Sequence, residues 1–251
     1  MKVIVGCPTY RKFDLCVKMI ESAFAGSVMP DAFLIVDNSA GGFTKYTQEN
    51  GILFDSSVMI VEPTTNIGVA AAWNYILEAV TASVEDALTI IVNDDVLFNE
   101  TTIQRLVDKA LVDSINNGEY DIMYATGGES AINAFSLFAV HAPTFLEVLG
   151  RFDETIWPAY FDDNDMHQRM KLQHLGITHV DDCTANHGEG SATIKSYGVE
   201  EINRHHQQFR RNQHYFILKW GGMPGEETYN IPFNGNNIMP LMRMLYETYG
   251  F

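Results

Sequence analysis

Apolar runs rich in β-branched residues alternate, through the first half of the chain, with stretches whose apolar positions recur every three to four residues. Val3-Ile4-Val5, Ala32-Phe33-Leu34-Ile35-Val36 and Met59-Ile60-Val61 have the length and composition of strands. Leu88-Thr89-Ile90-Ile91-Val92 is unbroken enough to predict a strand buried on both faces. Between these runs, Leu15, Met19 and Ala23 keep helical spacing, with Asp14 placed to cap that helix. Ala70, Trp73, Asn74 and Leu77 fall on a second helix, and Ile103, Leu106, Val107, Ala110 and Leu111 on one face of a third. Such alternation predicts an α/β fold with a parallel, nucleotide-binding type of sheet.

The second half changes character. Residues 121–125 and 134–140 have strand composition without a full crossover between them, which predicts mixed pairing. A short helix from Pro143 to Leu149 follows. The acid-rich Tyr160-Phe161-Asp162-Asp163-Asn164-Asp165 then opens a helix with Met166, Met170 and Leu172 as its buried candidates. Residues 177–180 form the last expected strand, ahead of a loop over 186–193 and a helix from about Glu200 to Leu218.

Composition narrows the function. Sixteen Lys and Arg against thirty-two Asp and Glu give a formal charge of -16, a field that opposes general nucleic-acid binding. No apolar stretch reaches the length of a transmembrane span. The chain enters a strand at Val3, so no secretory leader is expected. Cys7, Cys16 and Cys183 lack metal-site spacing, and their odd number fits a reducing, cytoplasmic setting. Nothing in the sequence sets the oligomeric state.

The chemistry concentrates in acids that follow strands or open helices. Asn93-Asp94-Asp95 ends the most apolar strand; it suits a solvated turn, or a cation site at the carboxyl edge of a sheet. Asp37 ends the second strand and reads either as a turn-stabilising residue or as an acceptor for a nucleoside's hydroxyls. Asp162, Asp163 and Asp165 sit where the helix macrodipole favours acids. Three in four positions exceed what a cap requires, and their mutual repulsion raises a pKa, as a general base needs. His187, in a Gly-flanked loop, reads as a solvated side chain or a metal ligand.

Five segments, in order, resemble the family 2 glycosyltransferases with the GT-A fold, in their rhamnosyltransferase-like branch. These are Pro8-Thr9-Tyr10-Arg11, Ile35-Val36-Asp37-Asn38-Ser39, Asn66-Ile67-Gly68 running to Trp73-Asn74, Val92-Asn93-Asp94-Asp95-Val96, and Gly150-Arg151-Phe152-Asp153-Glu154 with Phe161-Asp162-Asp163-Asn164-Asp165 and Arg169. The resemblance covers residues 3 to about 193. It implies a three-layer α/β/α sandwich around a mostly parallel, mixed sheet in a single domain over 1–251. The expected halves are 1–100 for the nucleotide sugar and 101–195 for the acceptor, with a C-terminal helix and tail over 196–251.

The resemblance further implies an inverting, metal-dependent hexosyltransferase that moves a sugar from a nucleotide-diphosphate sugar to a hydroxyl of an acceptor, with a glycan as the expected acceptor. Mn²⁺ or Mg²⁺ would sit on Asp95 and His187, the latter in a His-x-x-x-Ser-x-Thr loop with Ser191 and Thr193. Pro8, Thr9, Tyr10, Arg11, Asp37, Asn66, Gly68, Asn74, Asn93 and Asp94 would line the donor site. Asp163 would be the base, with Asp162 its alternative; Asn93 and Asp162 depart from the family's usual Asp and Glu. Arg11 would charge-balance the diphosphate or pair with a surface acid, and Trp220 would close the donor site or serve the core. Competing readings are a nucleotidyltransferase or metal-dependent phosphohydrolase, which Gly6-Cys7-Pro8-Thr9 matches poorly as a phosphate loop, and a non-catalytic nucleotide-sugar-binding module.

Overall fold

A computed structural model describes every residue except 130, 189–194, 196, 250 and 251. It forms two compact units. The first comprises Met1–Ile67, Ala72–Arg151 and Gly176–Lys195; the second comprises Gly68–Ala71, Phe152–Leu175 and Ser196–Phe251. Residues 152–175 thus group with the C-terminal segment rather than with the rest of 101–195.

The first unit is built on a seven-stranded sheet of β1 (Lys2–Thr9), β2 (Ala32–Asp37), β3 (Val58–Val61), β4 (Ala87–Val92), β6 (Tyr124–Thr126), β7 (Leu137–His141) and β8 (Thr178–Val180). Their order is β3-β2-β1-β4-β7-β6-β8. Pairing is parallel except where β7 runs against β4 and β6, which is the mixed pairing the sequence predicts. A separate antiparallel pair joins β5 (Val96–Phe98) to β9 (Ala185–His187).

Every residue of β4 is buried, so both faces of the sheet must be covered. On one face Val3, Val5, Phe33, Ile35, Leu88 and Ile90 pack with Met19 and Ile20 of α1 (Phe13–Phe24) and with Leu106 of α4 (Thr102–Asn117). On the other, α3 (Val69–Ser83) comes so close to β1 that a Cβ on Gly6 would lie 2.3 Å from Ile76 Cγ2. Trp73 of the same helix meets Phe138 of β7 edge-on at 5.6 Å. Each fully buried Ile, Leu or Phe contributes about 1.5–3 kcal/mol relative to exposure.

Several local expectations are corrected. Asp14 is not the cap of α1: the N-cap is Lys12, and Asp14 lies in the first turn, where the macrodipole favours it. Residues 134–136 form a 3₁₀ turn rather than strand, because the Asn133 side chain accepts the Phe135 N–H at 2.9 Å. Leu111 is exposed on α4, outside its buried stripe. The helix α2 (Gly42–Glu49) is legible only in the structure, since Phe43 and Thr47 are its sole buried residues. The strand at 178–180 is not the last, because β9 follows it. Helix α5 (Ala142–Val148) lies where expected.

The second unit contains α6 (Asp162–Leu172), α7 (Val199–Trp220) and α8 (Ile238–Tyr249). Its core joins Ile156, Phe161, Tyr215, Phe216, Trp220 and Leu245.

Candidate active site

Strand β1 lies between β2 and β4, so the chain order reverses beside it. In open α/β sheets that reversal opens a crevice at the carboxyl edge. Two segments expected to carry chemistry leave the sheet there: Tyr10-Arg11 after β1 and Asn93-Asp94-Asp95 after β4. They are joined directly, because Thr9 Oγ1 donates to Asp94 Oδ2 at 2.8 Å and the Tyr10 N–H to the same oxygen at 3.4 Å. Desolvation pushes the Asp94 carboxyl up to about 7; the Thr9 hydroxyl opposes the shift and the charge of Asp95 adds to it. Asp94 therefore orders the crevice. Asn93 is fixed through its backbone, with its N–H on the Ser136 carbonyl at 2.9 Å.

Asp95 has a different partner. The β5–β9 ladder sets Val96 opposite His187 and so brings Asp95 alongside the imidazole. His187 Nε2 lies 3.1 Å from Asp95 Oδ1, and both side chains keep some exposure. The hydrogen bond to Asp95 raises the His187 pKa; desolvation works against it, and the Asp95 charge reinforces it. Residues 92 positions apart in sequence thus present a carboxylate oxygen and an imidazole nitrogen side by side.

That donor set fits a divalent cation of the Mn²⁺ or Mg²⁺ type. Such ions are held by one or two carboxylates with substrate phosphates completing the shell, and imidazole is a common additional ligand. Among the described residues no third His, Cys, Asp or Glu joins the pair, which leaves most coordination positions to phosphate oxygens and water. Ser191 and Thr193 lie outside the described residues.

The other expected donor-site residues have varied settings. Asp37 is fully buried; it accepts the Ser39 N–H at 2.9 Å, the Ser39 hydroxyl, and the Phe43 N–H of α2 at 2.8 Å. Its two oxygens thus hold the first turn of α2 and tighten the turn at Ser39. Asn38 accepts the Ile67 N–H at 3.2 Å and ties in the loop that carries the half-buried Asn66. Pro8, Thr9 and Asn74 are buried. Arg11 is exposed at φ 68° with its guanidinium 4.9 Å from the centre of the Tyr10 ring.

In the second unit, Gly68 has φ 85°, and a Cβ there would lie 2.7 Å from Trp157 Cδ1. Backbone conformation and close approach both demand glycine. Tyr160 and Phe161, at φ 72° and 74°, hold a left-handed backbone that bulky residues rarely adopt. Asn212 of α7 steadies it by donating to the carbonyls of Ala159 at 2.9 Å and Tyr160 at 3.3 Å. Strain of this kind concentrates at functional sites, and here it aims the first turn of α6.

The three acids of that turn have separate environments. Asp165 is fully buried: Lys219 Nζ is 2.6 Å from it, Trp220 Nε1 donates to it at 2.8 Å, and Arg169 Nε lies at 3.2 Å. Asp162 is 5% exposed; burial, then the Asp163 charge, pushes its carboxyl up to about 7. Asp163 is the accessible one of the three, half-buried, with Oδ1 on the Asn164 N–H at 2.8 Å. Lys219 also binds Asp153 at 2.7 Å, and Tyr215 Oη donates to Asp153 at 2.7 Å. Burial works against the Asp153 charge, but these partners hold its pKa below the usual carboxylate range. Trp220 is 1% exposed and belongs to this core. Sequence reasoning missed the Lys219 network, although Arg211, Asn212 and Lys219 share the buried stripe of α7 with Tyr215 and Phe216.

No protein-family model and no curated protein matches the sequence. Solved structures do. The mannosyltransferase PcManGT from Pyrobaculum calidifontis, in complex with GDP-Man and Mn²⁺, aligns with TM-score 0.59 at 16% identity. That alignment covers 89% of this chain and 66% of PcManGT. S. aureus TarS 1–349 in complex with UDP-GlcNAc aligns with TM-score 0.55 at 16% identity, over 87% of this chain and 67% of that one. A longer TarS structure is covered only to 44% of its length. The chain shares their fold. The α/β expectation with a mostly parallel, mixed sheet is thereby met.

Proposed function

We propose that this chain transfers a sugar from a nucleotide-diphosphate sugar to an acceptor hydroxyl, with inversion and with a divalent cation. The observation that carries the reading is the Asp95–His187 pair, 3.1 Å apart at the carboxyl edge beside the β1–β4 crevice. The complexes of PcManGT with GDP-Man and Mn²⁺ and of TarS with UDP-GlcNAc support it.

Asp95 and His187 would hold the cation, which when bound neutralises charge developing on the leaving nucleoside diphosphate. Asp94, fastened to Thr9 and the Tyr10 N–H, keeps the β1 and β4 loops in register around the diphosphate. Arg11 adds a guanidinium at the same edge. Asp163 takes the proton of the acceptor hydroxyl, being the half-buried and most accessible acid of the α6 first turn. Asp162 and Asp165 are positioning residues: one is a buried carboxyl next to Asp163 in the same turn, its pKa raised to about 7, and the other anchors the turn to Lys219 and Trp220.

The test is product analysis with paired variants. The wild type releases nucleoside diphosphate in the presence of Mn²⁺ or Mg²⁺. Asp163→Ala keeps nucleotide binding and loses transfer. Release of pyrophosphate or nucleoside monophosphate instead would exclude the reading.

A further inference from the structure

The second unit contains a cavity of about 420 Å³ that neither Asp162 nor Asp163 lines. Its volume is within the range of small-molecule sites, about 300–1,000 Å³. Trp157 and Tyr249 bring aromatic surface to it, Gln207, Gln208 and Arg204 project into it from α7, and Glu154 adds a carboxylate. Among the described residues, the side chains of Arg204, Gln207 and Gln208 form no hydrogen bond or ion pair. Donors and acceptors therefore face the cavity beside aromatic rings.

We propose that this cavity binds a saccharide, which in the transfer described above is part of the acceptor; that last assignment rests on the proposed function. A sugar ring presents C–H groups on its faces and hydroxyls around its rim. Aromatic walls match the former, while two amides, a guanidinium and a carboxylate match the latter.

The wall is also joined to the candidate base. Arg211 Nη2 donates to the carbonyls of Thr155 at 2.7 Å and Trp157 at 3.0 Å, and Asn212 holds those of Ala159 and Tyr160. One clamped segment thus runs from the cavity wall into Asp162 and Asp163.

Tryptophan fluorescence tests this without turnover. Trp73 and Trp220 are buried at 3% and 1% exposure, so Trp157 is the tryptophan that a solute reaches. The full chain is titrated with methyl glycosides of glucose, galactose, mannose and N-acetylglucosamine. At least one is expected to give a saturable change, absent in Trp157→Phe and requiring at least tenfold higher concentration in Gln208→Ala and Arg204→Ala. Asp95→Ala should retain the response. No saturable change with any glycoside, or a response indifferent to both α7 variants, overturns the proposal when calorimetry shows nucleoside diphosphate binding intact. Failure of nucleotide binding with the saccharide response preserved would sink the transferase reading and leave the saccharide site standing.

Discussion

At the residue scale, Asp162 makes a prediction with a definite sign. Its carboxyl titrates near 7 in the folded chain and near 4 when unfolded, so between those values only the folded state holds the proton. Its contribution is fully present below the unfolded pKa and is lost as pH rises through about 7. Asp94 contributes with the same sign. Chemical denaturation at pH 5 and pH 8 should show the wild type losing stability on the order of a few kcal/mol more than Asp162→Asn over that interval. An identical loss in both proteins would place Asp162 in a more solvated setting. Gly6 makes a simpler prediction. Gly6→Ala forces a methyl against Ile76, and overpacking of this kind costs about 1–3 kcal/mol, read as a lower denaturation midpoint with unchanged m-value.

At the scale of elements, α7 holds the acidic turn in place. Lys219 lies between Asp153 and Asp165, so removing it takes the shared cation from one half-buried and one fully buried carboxylate. Breaking a buried pair costs about 3–5 kcal/mol, and Lys219→Ala should lose stability on that scale by denaturant titration. Asn212→Ala uncouples two carbonyls from the strained Ala159–Phe161 turn. It should cost about 1–3 kcal/mol and lower kcat more than it raises KM, because the turn sets the direction of Asp163.

Elements were legible from sequence where burial imposed a period: β1, β2, β4, α3 and α7 follow their apolar patterns. Those fixed by single side chains were not. Asp37 capping α2 and Asn133 starting a 3₁₀ turn leave no periodic trace, and neither does a three-residue β9 paired only with β5. The candidate site divides the same way. Asn93-Asp94-Asp95 announced itself by following a buried strand. The separation of its roles, with Asp94 on Thr9 and Asp95 on His187, required the fold, because both partners are distant in sequence.

At the scale of the whole molecule, the first unit carries the crevice and the Asp95–His187 pair, and the second carries the acid turn and the polar cavity. With a formal charge of -16, the chain has an electrostatic reason to bring in a diphosphate through a cation rather than through bare surface attraction. Ligand bound to the folded state stabilises it by mass action, about 2.7 kcal/mol at a hundred times Kd. The most direct test of the account is therefore a thermal-shift measurement with UDP, GDP, dTDP and CDP, each with and without Mn²⁺, on the wild type, Asp95→Ala and His187→Ala. The account predicts that at least one nucleotide raises the wild-type Tm only with Mn²⁺, and that both variants lose that rise. A shift that is independent of Mn²⁺, or that survives in both variants, would contradict it.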